Sequence, residues 1–386
     1  MESIKMNRKI LYITGTRADY GLMRSVLSRI EKNPKIDLEI AVTGIHLMEE
    51  FGMTANYVEN DGFKTHIIND VFKEDNKESM VHFIGDFIND LSKLVIKINP
   101  NIILLLGDRG EMLAGAIVGA YLGIPTAHLH GGEITSTVDE YARHAITKLV
   151  NIHLPATKKS AERIIKMGEN PENVFLVGAP GLDNIHNEKL TTPDEIARSY
   201  NLNPSEPIIL VVQHPVSLES KNSSKQIQAT LDAVLDLKIQ TLIIYPNADA
   251  GGREIIKAIQ EYENYPFIQT FKSIPSKDYL SLMQIANVIV GNSSSGIIEA
   301  SSFKLPAVNI GSRQEGREKA FNVIDVDYDK KEIKDAILKA IYDEKFIDMV
   351  KSSENPYGDG KTSQKVVKIL LEIKLNQELL EKKLNL

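Results

Sequence analysis

The chain has 386 residues, a formal charge of −7, 42% hydrophobic and 25% charged residues, and neither cysteine nor tryptophan. At about 150 residues per domain, that length implies two domains with enough apolar material for real cores. The acidic balance argues against a dedicated nucleic-acid binder, and the lack of cysteine excludes disulfides, thiolate nucleophiles, iron–sulfur clusters and cysteine zinc sites.

Met1 to Lys9 is polar and charged, and the first apolar run, Ile10 to Ile13, is far too short for a secretory leader. The longest run, Ile102 to Leu106, is strand-length and well below a membrane span. The expectation is a cytoplasmic protein without membrane contact. Ile10 to Thr14 reads as a buried strand, followed by a glycine-containing turn and a helix from about Ala18. Further strands are expected at Leu38 to Val42, Ile102 to Leu106, Thr126 to Leu129, Ile152 to Pro155 and Val174 to Val177. The pattern lapses over Gly178 to Pro204. It restarts at Ile208 to Val212 and continues at Thr241 to Tyr245, Phe267 to Phe271, Val288 to Val290 and Ala307 to Ile310. Continuous apolar strands separated by helices imply parallel sheets covered on both faces, hence an α/β fold. The expected organisation is a first Rossmann-like domain over 1–180, a second over 181–361, and a helix over 362–386 packing back on the domains. Val366, Ile369, Leu370 and Ile373 recur at helical spacing in that last segment.

In open α/β sheets, ligands bind beyond the carboxyl ends of the strands. Five places there carry chemistry. Gly15-Thr16-Arg17-Ala18-Asp19 offers helix-start amides and a guanidinium to an anion, or an ordinary turn with Asp19 as a capping residue. Asp108 stands directly after a fully apolar strand, with Arg109 beside it, and reads either as a helix cap or as part of a ligand site. His128 and His130 share a side if the strand persists. With Glu133, Asp139, Glu140, Arg143 and His144 they form an acid–base cluster; a metal reading is less favoured, since no H-E-x-x-H pattern occurs. Gln213-His214-Pro215 ends the first strand of the second half. Gly291-Asn-Ser-Ser-Ser-Gly296 follows a strand and is expected to open a helix whose amides and hydroxyls suit a diphosphate, with Glu299 a turn inside for ribose hydroxyls and Arg313 and Arg317 nearby. It is not a P-loop, because Ile297-Ile298 stand where Lys-Ser/Thr belongs. An anion-seeking site in each half implies a nucleotide with a second moiety, held between two domains.

The ordered set GTRADYG, GDRGEM, HLHGGE, TVDEYARHAITKL, QHPV, YPNADAGG, GNSSSGIIEA and GSRQEGR resembles the hydrolysing UDP-N-acetylglucosamine 2-epimerases, from about residue 10 to 325. The resemblance implies a GT-B-like architecture of two Rossmann-like domains with a cleft between them. It implies an activity that converts UDP-N-acetylglucosamine and water to UDP and N-acetylmannosamine through a 2-acetamidoglucal, with no cofactor and no metal. Carried over by position, Arg17, Arg109, His214, Ser293, Ser294, Glu299 and Arg313 are expected to contact UDP, and Asn247 and Ile274 to lie near the nucleotide. Asp108 and Asp139 match two family catalytic carboxylates. His130 stands where many relatives carry a third, a glutamate, so His130, Glu133 or Asp139 is expected to take that role. Gly21 replaces a serine that contacts nucleotide in some relatives. The implied partners are a UDP-sugar and further copies of the chain, as dimer or tetramer, with no nucleic acid and no membrane. The nearest alternative is the sister activity on UDP- or GDP-linked 2,4-diacetamido-2,4,6-trideoxyglucose, on the route to legionaminic acid. The non-hydrolysing epimerases differ by GTRPE and HVEAGLR motifs, which this chain lacks. A GT-B glycosyltransferase and a UDP-sugar binder that has lost catalysis are the remaining alternatives.

Overall fold

The computed structural model describes residues 7–49, 52–72, 77–134, 139–187, 189–246 and 251–385. They fall into two compact units, one drawn from residues 1–133, 138–187 and 357–386, the other from 134–137 and 188–356. In the first unit, β1 (Arg8–Thr14), β2 (Ile36–Val42), β3 (Thr65–Ile67), β4 (Ile102–Leu106), β5 (Thr126–Leu129) and β6 (Ile152–Leu154) form one sheet in the order β3-β2-β1-β4-β5-β6. Every pairing in it is parallel. In the second, β7 (Ile208–Val212), β8 (Gln240–Ile244), β9 (Ile268–Phe271), β10 (Val288–Gly291), β11 (Ala307–Ile310) and β12 (Val323–Val326) are also all parallel, ordered β12-β11-β10-β7-β8-β9.

Both sheets therefore have the doubly wound order in which the winding reverses beside the first strand, at β1/β4 and at β7/β10. The central strands are apolar throughout because helices cover both faces: β4, Ile-Ile-Leu-Leu-Leu, is wholly buried, as is β7. The sequence pattern misses β3 and β12. Both are edge strands of three and four residues whose positions are only partly buried or exposed, so neither needs a continuous apolar run.

The helix Thr362–Glu372 packs on the first unit. Val366, Val367 and Leu370 join Met23, Val26 and Leu27 of the helix Arg17–Glu31 in one core. Its start is fixed by the buried Asp183 carboxylate, which accepts from the amides of Thr362 at 2.8 Å and Ser363 at 2.7 Å. The last turn of chain is tied down too. The Asn385 amide donates to the Gly168 carbonyl at 3.0 Å, and Asn151 donates to the Leu379 carbonyl at 2.9 Å. Lys382 reaches the buried Glu169 at 2.5 Å. No described helix is long and apolar enough to cross a membrane.

Candidate active site

Of the two readings of the loop after β1, the ordinary turn capped through Asp19 is the one that holds. The amides of Gly15 and Thr16 do not face outward for an anion; both donate to the Asp19 carboxylate, at 3.2 and 2.8 Å. Thr16 is the helix cap, and Asp19 closes a capping box with it. Asp19 also accepts from Thr14, whose hydroxyl meets His46 at 2.9 Å. His46 is fully buried, so burial lowers its pKa to about 4 and keeps it neutral between the Thr14 and Thr54 hydroxyls. Of that loop, Arg17 remains directed to solvent, its guanidinium 5.8 Å from the Tyr57 ring.

Glu111 sits behind the same loop, 1% exposed, with Oε2 3.5 Å from Arg109 Nε. A Cβ on Gly15 would stand 2.4 Å from the Glu111 carboxylate, so a side chain there would push that carboxylate aside. Arg109 caps its helix by backbone position alone, and Asp108 is not the cap. The Asp108 carboxylate instead pairs with the guanidinium of Arg143, which is 4% exposed and also donates to the Glu133 carbonyl at 3.2 Å. Arg143, on the helix Asp139–Leu149, thus ties the end of β4 to the loop after β5.

His128 and His130 do not share a side. The strand ends at Leu129, and His130 adopts φ +60°, a left-handed conformation unusual for a side-chain-bearing residue. His128 points into the fold and donates through Nε2 to the Gly107 carbonyl at 2.6 Å; burial lowers its pKa to about 3, so it is a neutral structural group. His130 turns to Glu133, with Nδ1 2.5 Å from Oε1. The other ring nitrogen, Nε2, is buried and has no hydrogen-bond partner among the described residues. A carboxylate on Nδ1 holds the proton there and leaves Nε2 with its lone pair, the arrangement of a general base. Asp139 begins the helix that carries Arg143, but its side chain lies outside the described residues.

The second unit brings most of its predicted residues together. Gly291 ends β10 with φ +127°, and a Cβ there would collide with the Val212 carbonyl of β7. That close approach lets Asn292 and His214 pair main chain to side chain: His214 N donates to Asn292 Oδ1 at 2.7 Å, and Asn292 Nδ2 to His214 O at 2.9 Å. The Asn292 carbonyl accepts from Arg313 at 3.2 Å and from Gln314 at 2.8 Å, so three strand ends converge on one asparagine. Burial, then the Arg313 charge, lowers the His214 pKa to about 3; it is a neutral donor. The segment after Gly291 is not the expected helix. It is a pair of 3-10 turns, Ser294–Gly296 and Ala300–Phe303, with Ser293 capping the first by accepting from Ser295 N at 3.3 Å. Successive amides and hydroxyls still crowd one turn, which suits an anion. Ile274 is half-buried in the loop after β9, and Asn247 lies outside the described residues. Two features escaped the motif reading: the pairing of Arg143 with Asp108, and Tyr279, whose phenol lies beside Ser293, Ser295 and Glu299. No local pattern marks either, because each acts through a partner distant in sequence.

Two sheets of doubly wound order, with titratable groups after β4 and β5 and polar and cationic groups after β7, β10 and β11, define a GT-B-like α/β enzyme. The sequence model of the UDP-N-acetylglucosamine 2-epimerases matches residues 28–371, and the chain belongs to that family. It is 44% identical, over 98% of its length and 99% of the relative's, to the UDP-N,N'-diacetylbacillosamine 2-epimerase (hydrolyzing) of Legionella pneumophila. It is 36% identical to the UDP-N-acetylglucosamine 2-epimerase of Neisseria meningitidis, over 86% of this chain and 87% of that one. A crystal structure of a Neisseria meningitidis UDP-GlcNAc 2-epimerase bound to UDP-GlcNAc shares the fold, with a TM-score of 0.82 at 19% identity over 95% of this chain and 100% of that one.

Proposed function

We propose that this enzyme is a hydrolysing 2-epimerase acting on a UDP-linked 2,4-diacetamido-2,4,6-trideoxyhexose. The observation that carries the choice of sugar is the 44% identity to the Legionella diacetylbacillosamine enzyme across essentially both whole chains. The chemistry follows in two steps. A base takes the proton on C2 while the C1–O bond breaks and UDP departs, leaving a C1=C2 double bond in a 2-acetamidoglucal. Water then adds oxygen to C1, and a proton returns to C2 on the opposite face, giving the free 2-epimeric sugar.

Each step needs one group to take a proton and another to give one. The His130–Glu133 pair supports assignment of His130 Nε2 as one of them, in place of the glutamate that many relatives carry. Asp108, held by Arg143, is the second, and Asp139 a third by position. Ser293, Ser294, His214 and Arg313 are assigned to the diphosphate, Arg17 and Arg109 to further anion contact, and Glu299, Ile274 and Asn247 to the nucleoside. Neutral and cationic donors around a diphosphate stabilise the charge that grows as UDP leaves.

The second reading, UDP-N-acetylglucosamine as substrate, draws on the 36% identity to the Neisseria enzyme. UDP release from the two nucleotide sugars separates them. The proposal expects kcat/KM at least tenfold higher for the diacetamido sugar. The reverse ratio supports the second reading, and no UDP release from either sugar overturns both.

A further inference from the structure

β5 stops at Leu129, so the carbonyls of the loop that carries His130 and Glu133 need donors other than a sheet ladder. Two guanidiniums supply them. Arg143 donates to the Glu133 carbonyl at 3.2 Å, and Arg163, on the helix Lys158–Lys166, donates to the Gly132 carbonyl. The loop is also seated against that helix. Gly132 adopts φ +75°, and a Cβ there would collide with the Ser160 carbonyl and the Ile164 side chain. The helix is fixed at its start by Thr157, whose hydroxyl accepts from Ser160 N at 3.2 Å.

The loop has something to hold. His130 sits at a left-handed φ, which persists only where the surroundings over-determine it. The next two residues, Gly131 and Gly132, are the least restrained kind of backbone. Only those two glycines separate the His130 imidazole from the Glu133 carboxylate it meets at 2.5 Å. We propose that Arg163 is a positioning residue for proton transfer at His130: its guanidinium, on the Gly132 carbonyl, fixes the backbone between the imidazole and the carboxylate. This rests on the assignment of His130 made above. Arg163 lies outside every motif after β5 and acts through the backbone alone, 31 residues away in sequence from the carbonyl it holds.

A mutant cycle of His130→Ala and Arg163→Met, read by UDP release from the better of the two nucleotide sugars, tests the assignment. Arg163→Met is expected to lower kcat by about tenfold to a hundredfold, since a misplaced catalytic group costs that much, and to leave KM and UDP affinity within about twofold. Arg163→Lys, which keeps a charged donor, should recover part of that loss. In the His130→Ala background, Arg163→Met should change kcat by less than about twofold, because the group it positions is gone. Wild-type kcat in Arg163→Met, beside a slow His130→Ala, overturns the proposal and leaves the His130 assignment standing. An equal fall in both backgrounds also overturns it, since Arg163 then supports the fold and not His130. Wild-type kcat in His130→Ala overturns the His130 assignment, and this one with it. If Arg163→Met does not fold, Arg163→Lys takes its place in the cycle, with the same outcomes.

Discussion

His130 is held at φ +60°, where a non-glycine residue costs about 1–2 kcal/mol, and its ring is fixed by Glu133 at 2.5 Å. Backbone strain of this kind clusters at functional sites, and here it lies beside a carboxylate–imidazole pair. His130→Ala is expected to lower kcat by about 10²–10⁴-fold, read by UDP release, and Glu133→Gln to lower it through the loss of the fixed tautomer. Wild-type turnover in both would move the role to another carboxylate. Asp108→Asn should abolish turnover and keep UDP affinity in calorimetry; lost affinity would make the Asp108–Arg143 pair a structural clamp instead. Gly15→Ala is a structural counterpart. Its methyl group meets the buried Glu111 carboxylate and should cost about 1–3 kcal/mol in urea unfolding, with a smaller cost in a Glu111→Ala background. At this scale the sequence placed Asp108, Glu133 and His214 at strand ends correctly, because position after an apolar run is a local signal. It could not place Arg143 against Asp108, 35 residues apart, nor choose between the two readings of the loop after β1, of which the Asp19 cap is the one that holds.

The segment after β10 shows why element type was less legible than element position. Gly291 and the serines announce a turn at a strand end, but 3-10 and α turns share the same small, capping residues. Edge strands β3 and β12 escaped for the opposite reason: short half-exposed strands carry no apolar run. The C-terminal segment was legible as a helix by its spacing, and its docking partner was not. Leu370, fully buried there, should cost about 2–5 kcal/mol when cut to alanine, measured by urea unfolding. Beyond it, Glu169 is 4% exposed and bonded to His153, Lys148 and Lys382. Burial alone would raise this carboxyl; the three partners outweigh it and hold the pKa at about 2. A depressed carboxylate adds stability that is present above its ordinary value near 4.5 and is lost as pH falls through about 2. Lys382→Met removes one partner and is expected to lower stability by about 1–3 kcal/mol at pH 7, with the gap to wild type narrowing below pH 4.5. A gap independent of pH would show that the tail is held by packing alone.

Among the described residues, burial lowers the pKa of four histidines, His46, His128, His153 and His214, and these set the acid limit. His46, His128 and His214 have pKa values lowered from 6.5 to about 4, 3 and 3, all chiefly by burial. The unfolded chain takes up these protons below pH 6.5 and the folded chain does not, so stability should fall as pH drops from 6.5 toward 3, by up to about 1.4 kcal/mol per unit for each histidine. Urea midpoints between pH 7 and 5 check this, and a flat profile would contradict it. The two doubly wound sheets were legible from the strand series because parallel sheets demand apolar strands at regular intervals. The identity of the sugar was not, since a pocket for groups on C4 and C6 leaves no motif. The proposed reaction is elimination of UDP followed by hydration with inversion at C2. Proton NMR of the reaction in deuterated water, with the diacetamido and the N-acetylglucosamine substrates in turn, tests it most directly. Elimination and hydration give UDP together with a free sugar of inverted C2 configuration, carrying one deuterium at that carbon. A released sugar that retains its C2 proton and its original configuration would show simple hydrolysis and exclude the elimination.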